Sequence, residues 1–100
     1  MDNYQVKLMP RAYRDLDEIE HYIACELSEP ETALNLIHEI EEAILGLTHF
    51  PQRGARRKIG RYAEKDYRQL FVKNYTIVYR IDNVHKWVII VTIRYTPSRF

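Results

Sequence analysis

Apolar positions recur along this chain with two different periods, and each period predicts a kind of element. Tyr4, Val6 and Leu8 alternate with Gln5, Lys7 and Met9, which predicts a short strand stopped by Pro10. Proline suits the first turn of a helix. From it Ala12, Leu16, Ile19, Ile23 and Leu27 step by three or four, predicting an amphipathic helix with Arg14, Asp15, Asp17, Glu18 and Glu20 off the stripe. Ser28-Glu29-Pro30-Glu31 ends that helix and begins another, and Ser28 with Glu31 has the spacing of a capping box. Ala33, Leu36 or Ile37, Ile40, Ile44 and Leu47 form the second stripe, which Gly46 and then Pro51 bring to an end. Two helices of about four turns joined by so short a link pack as an antiparallel hairpin.

The pattern then changes. Residues 51–66 have little periodicity and read as a basic loop with a short strand at most. Beyond them β-branched and aromatic residues take over. Tyr67–Val72, Tyr75–Ile81 and Trp87–Tyr95 read as strands, separated by Lys73-Asn74 and Asp82-Asn83. Asn in each turn is expected to take the left-handed backbone that tight hairpins need. Val88-Ile89-Ile90-Val91 is apolar on both faces, the mark of an interior strand. The order strand, helix, helix, three-strand meander predicts an α+β fold of two layers. The helical hairpin lies on one face of a twisted antiparallel sheet, and the bases are expected on the other face and the loop feeding it.

Composition narrows the class. One hundred residues suffice for a single domain, 1–100, with its own core. With 46% apolar and 29% charged residues the chain is a folded globular protein rather than a disordered one. No apolar run is long enough to span a bilayer. The first residues lack the basic and then apolar stretches of a signal peptide, and a lone Cys25 cannot form an internal disulfide. The expected location is the cytoplasm, with no membrane partner.

A net charge of +1 conceals a strong asymmetry. Residues 1–50 hold three bases and eleven acids, while residues 51–100 hold twelve bases and three acids. A basic half speaks to partners more than to fold. It offers itself to nucleic acid, to an acidic protein segment or to the chain's own acidic half. No metal is expected: His38-Glu39-Ile40-Glu41-Glu42 lacks the second histidine of a zinc helix, and His21, His49 and His85 have no companions at ligand spacing. No cofactor is expected either.

Taken in order, several segments resemble the RelE/ParE superfamily of toxins from type II toxin–antitoxin (plasmid stabilisation) systems. They are Tyr4-Gln-Val-Lys-Leu, Ala12-Tyr-Arg-Asp-Leu-Asp-Glu-Ile, Tyr22-Ile, Ala33, and the Ile40 to Leu47 stripe ending in Phe50-Pro51 with Arg53-Gly54. Tyr67-Arg-Gln-Leu-Phe-Val, Asn74-Tyr-Thr-Ile-Val-Tyr-Arg-Ile and the closing Ile-Ile-Val-Thr-Ile-Arg-Tyr complete the match over nearly the whole chain. No single segment is specific; their order and spacing are. The resemblance implies a growth-inhibiting toxin neutralised by a cognate, acidic antitoxin that wraps around it. It also implies one of two targets. ParE-like members poison DNA gyrase, whereas RelE-like members enter the ribosome and cut messenger RNA without a metal.

A metal-free ribonuclease must activate the 2′-hydroxyl, neutralise the phosphate and protonate the leaving oxygen. On the RelE-like pattern Arg68 and Tyr95 are the catalytic candidates. Yet Leu70 and Thr76 stand where that pattern has basic residues, and Thr96-Pro97 follow Arg94-Tyr95 where a base or His belongs. That loss favours the ParE-like reading, with messenger-RNA cleavage as the alternative. Arg56, Arg57, Lys58, Arg61, Arg94 and Arg99 are the candidates for binding target or antitoxin. Each has a plainer reading: Arg68 could pair with Asp66 or Asp82, Tyr95 could close the sheet, and Arg56-Arg57-Lys58 could be a solvated loop.

Overall fold

The computed structural model describes residues 3–63 and 66–97. Strand β1 (Gln5–Leu8) leads into helix α1 (Pro10–His21), which runs on into a π-helical turn, Tyr22–Glu26. Helix α2 (Pro30–Gly46) returns antiparallel to it. Short 3-10 turns at Pro51–Arg53 and Gly60–Tyr62 flank β2 (Ala55–Arg56). Strands β3 (Arg68–Val72), β4 (Tyr75–Asp82) and β5 (Trp87–Tyr95) follow. The helical hairpin covers one face of a five-stranded sheet of order β1-β5-β4-β3-β2. The two-layer α+β architecture expected from the sequence is the one observed.

Both apolar stripes close on the sheet. Ala12, Ile19 and Ile23 meet Ala33, Leu36, Ile40, Ile44 and Leu47, and all of them pack on Ile77, Tyr79, Val88, Ile90 and Ile93. A fully buried isoleucine contributes about 1.5–3 kcal/mol relative to an exposed one. The apolar face therefore outweighs helix propensity in fixing the hairpin. As expected of its doubly apolar run, β5 is interior, with β1 on one side and β4 on the other. The far face of the sheet is not bare, since Thr76, Val78, Ile89 and Thr92 are also buried.

Four local features differ from the sequence reading. The sheet is mixed, because β1 runs parallel to β5, pairing Gln5 with Trp87 through Leu8 with Ile90. Alternation fixes which face a strand buries but not its direction. The capping box does not form. Glu29, not Ser28, precedes α2, with φ −129° and ψ 71°, outside the helical region that a following proline disfavours. Its carboxylate accepts from the Thr32 hydroxyl at 3.1 Å. Ser28 instead takes a left-handed φ of 54° as the first helix ends, where the Glu29 amide donates to the Ile23 carbonyl at 3.0 Å. The hairpin turns place Lys73 and Lys86, rather than the asparagines, in the left-handed region. Asn83 serves differently, its Oδ1 accepting from the Tyr4 hydroxyl at 2.8 Å.

The fourth difference is Asp15. It stands three residues after Ala12 and four before Ile19, on the buried stripe, and only 5% of it is exposed. Its place follows from β1. That strand ends at Leu8 opposite Ile90, and Pro10 lifts the chain off the sheet into α1. The Ile93 amide, left without a neighbouring strand, donates to Asp15 Oδ2 at 3.0 Å. The Thr92 hydroxyl donates to the same oxygen, and Arg11 Nε to Asp15 Oδ1 at 3.3 Å. A buried carboxylate is tolerable only when its oxygens are so occupied.

Candidate functional site

The expected site residues fall into two separate groups. The first lies around β2 and the start of β3. Arg56 forms an exposed ion pair with Asp66 at 2.9 Å. Arg57 is 6% exposed, with Nη1 donating to Gln69 Oε1 at 2.7 Å and Nε to the Ile59 carbonyl at 3.2 Å. Burial lowers its pKa, although an arginine stays charged at any physiological pH. Arg68 donates through Nη1 to the Gly54 carbonyl at 2.8 Å, instead of pairing with Asp66 or Asp82. Lys58 and Arg61 are exposed beside them. Lys58 joins Arg56, Arg57, Ala63, Asp66 and Tyr67 around a recess of about 490 Å³.

Under this group lies a lock that sequence reasoning missed. The Tyr79 hydroxyl, buried beneath the 51–54 loop, donates to the Pro51 carbonyl at 2.7 Å and accepts from the Gly54 amide at 2.9 Å. Gly54 is close to the sheet because nothing larger fits. A β-carbon there would stand 2.4 Å from the Gln69 carbonyl and 2.6 Å from the Tyr79 hydroxyl. Burial raises the Tyr79 pKa, opposed by the Gly54 amide and by Arg68 and Arg53. The phenol is a structural donor and a poor general base. Arg57 and Arg68 thus spend donors holding their own loop. Arg53-Gly54 and Tyr79 stood in the sequence only as separate segments, with nothing to join them.

The second group lies at the opposite end of the sheet. The π turn, the start of α2, the β3–β4 turn and the end of β5 enclose a cleft of about 1100 Å³. Its floor is apolar, with Ile19, Ile23, Leu36 and Ile93. Its helical wall carries Glu18, Glu29 and Glu39, and its sheet wall carries Lys73 and Arg94. Lys73 Nζ lies 3.9 Å from Glu39 Oε1. Tyr22 and Leu27 stand exposed at the mouth, and Tyr95, 48% exposed, packs edge-on against Tyr75 with centroids 5.6 Å apart. Burial, then the neighbouring Tyr95 and Tyr22, raise the Tyr75 pKa. Arg94 Nε donates to the Thr92 hydroxyl at 3.0 Å. Arg99 lies outside the described residues.

Arg68 and Tyr95 therefore do not meet. Arg68 pairs with Tyr79 while Tyr95 pairs with Tyr75, four residues along β4 and two strands across. At ordinary sheet spacings this is on the order of 16 Å. The bases do not share one surface. They divide between the β2 end and the cleft, with Arg80 and Lys7 exposed in between, on either side of Ile89. Among the described residues no cluster of three His, Cys, Asp or Glu could hold a metal ion. No helix there is long and apolar enough to cross a membrane.

Comparison with known proteins places these features in context. The family model for the ParE toxin of the type II toxin–antitoxin system parDE matches residues 6–97. Among solved structures, the chromosomal ParDE system of P. aeruginosa is 26% identical, with TM-score 0.73, covering 92% of this chain and 95% of that one. The RelBE2 toxin–antitoxin complex of Mycobacterium tuberculosis is 23% identical, with TM-score 0.65, covering 95% and 93%. A double arginine-to-alanine mutant of E. coli RelE in the free state has TM-score 0.66 at 10% identity, covering 95% and 85%. The last two bear on the fold. No curated protein matches.

Proposed function

Because this chain belongs to the ParE toxin family of type II toxin–antitoxin systems, we propose that it arrests growth by poisoning DNA gyrase in the cytoplasm. It acts as a single domain and is silenced by a cognate antitoxin. The observation that carries the target is the separation of Arg68 from Tyr95. The two groups that a RelE-like nuclease would need together stand at different ends of the sheet, and Arg68 is engaged by Gly54. Raised pKa values move Tyr75 and Tyr79 further from acid–base work at neutral pH. Surfaces for docking remain, which is all that a poison of another enzyme requires.

The antitoxin's place is the cleft. Its apolar floor and exposed Tyr22, Leu27 and Tyr95 suit an amphipathic segment. The likeness to the ParDE system supports that partner. The alternative, ribosome-dependent cleavage of messenger RNA, draws on the exposed Lys58 and Arg61 beside Arg68. One experiment separates the two. The chain is induced in cells, supercoiling by gyrase is assayed with purified protein, and cellular messages are mapped by primer extension. Lost supercoiling with intact messages is expected. New 5′ ends inside reading frames with gyrase unaffected would reverse the assignment.

A further inference from the structure

Resting on the reading that this chain poisons gyrase by docking on it, we infer that the docking surface is the end of the sheet around the β4–β5 turn. The target meets it with an apolar pocket rimmed by carboxylates. Val84, at the tip of that turn, is 88% exposed, more than any other large apolar side chain among the described residues. The turn that carries it is not slack. Asp82 Oδ1 accepts from the amides of Val84 at 3.0 Å and His85 at 3.1 Å, and Asp82 Oδ2 lies 2.9 Å from His85 Nδ1. The Tyr4 hydroxyl ties Asn83 to the chain just ahead of β1, and Lys86 Nζ stands 5.3 Å from the Tyr4 ring. Such bracing holds the valine in water in one arrangement, so a partner that buries it pays little ordering entropy.

The adjoining sheet surface supplies the rest. Val6, Val88 and Ile90 pack into the core, which turns Lys7, Trp87 and Ile89 to the face away from the helices. Tyr79 and Ile81 do the same for Arg80. His85 stacks on Trp87 with ring centroids 4.4 Å apart, and Lys7 Nζ lies 5.1 Å from the Trp87 ring. Lys7 and Arg80, both exposed, stand in register on either side of Ile89. Tryptophan and arginine beside an exposed apolar tip are the residue types that anchor protein interfaces. The Asp82 carboxylate is engaged by the turn, so the charge offered here by Lys7, Arg80 and Lys86 is positive.

A protein fits this surface better than nucleic acid does. A valine at a turn tip offers no ring for a base to stack on, and the Trp87 ring is already engaged by His85 and Lys7. A pocket that takes the valine, with carboxylates opposite Lys7 and Arg80, satisfies both halves of the surface.

The test measures supercoiling by gyrase against the concentration of purified toxin. Val84→Asp, and separately Lys7→Glu with Arg80→Glu, should each raise the half-inhibitory concentration by about tenfold or more. A parental melting temperature in each shows an intact fold. For Val84→Asp, parental emission from Trp87, the one tryptophan of the chain, also shows an intact patch. Inhibition at the parent's concentration by either folded variant would overturn the surface and leave gyrase as the target. A parent protein without effect on gyrase defeats both. Binding of the parent to a DNA duplex free of gyrase, abolished by Lys7→Glu with Arg80→Glu, would assign the patch to nucleic acid and overturn the protein partner.

Discussion

The substitution Gly54→Ala adds a single methyl group in a place where the surroundings cannot retreat. Its β-carbon would lie 2.4 Å from the Gln69 carbonyl, 2.6 Å from the Tyr79 hydroxyl and 2.9 Å from Tyr79 Cε1. Ordinary contact begins near 3.4 Å, so the loop must rise by about 1 Å. One obstacle is strand backbone and the other a fully buried ring, so neither swings aside. The φ of −79° is acceptable to alanine, and the penalty is therefore steric rather than conformational. Overpacking of this kind costs about 1–3 kcal/mol. Lifting the loop also weakens the bonds from Gly54 to Tyr79 and from Arg68 to Gly54, each worth about 1 kcal/mol. A loss of about 3 kcal/mol follows, a large share of the roughly 5–15 kcal/mol that holds such a domain. The melting temperature should fall by about 12 °C or more. The measurement belongs on the free chain, since a bound antitoxin adds its own stabilisation. In a double-mutant cycle Tyr79→Phe removes the hydroxyl that the methyl group meets, so the two losses should add to less than their sum. Gly54→Ala melting within about 2 °C of the parent protein would refute the close approach.

Asp15→Ala strands the Thr92 hydroxyl and the Ile93 amide and should cost about 3 kcal/mol in urea unfolding, with Asp15→Asn recovering part of it. The His85 side chain, then its amide, hold the Asp82 carboxyl below 3.8. A depressed carboxyl stabilises the fold above its unfolded value and loses that contribution as pH falls through the folded one. Melting curves of Asp82→Asn should therefore lie below wild type at neutral pH and converge with it under pH 3.8. Arg68→Ala should cost about 1 kcal/mol through the Gly54 carbonyl and leave growth arrest intact. A folded, harmless Arg68→Ala would instead make that arginine a contact to the target.

Elements were legible where side-chain period alone decides them. The stripes Ala12 to Ile23 and Ala33 to Leu47, and the strand Trp87–Tyr95, were all plain in the sequence. Asp15 was half legible. Its spacing from Ala12 and Ile19 put it on the buried face, but a carboxylate beside Asp17, Glu18 and Glu20 reads as solvent-facing until its acceptor role is known. Strand direction was not legible, because β1 is equally apolar whichever way it runs. Nor were the turns, where Lys73 and Lys86 accept a conformation for which asparagine is the usual choice. For the site, charge counting named the basic residues but not how the fold divides them. Arg57 and Arg68 count as two positive charges in the sequence, whereas in the fold they are braces for the 51–57 loop. The cleft was invisible to composition, since its walls are acidic on the helices and basic on the strands.

The parallel pairing of β1 with β5 has a mechanical consequence. A pull on the chain at Tyr4 and Tyr95 drags these two strands past each other, so every rung between Gln5–Leu8 and Trp87–Ile90 bears load at once. Traction from the β1 side alone meets a four-residue edge strand that can be stripped first. From the other side it meets β5, braced by β4 along its length, by β1 over its first four residues and by Asp15 at Ile93. A processive unfoldase would unravel this molecule more readily from its front than from its back.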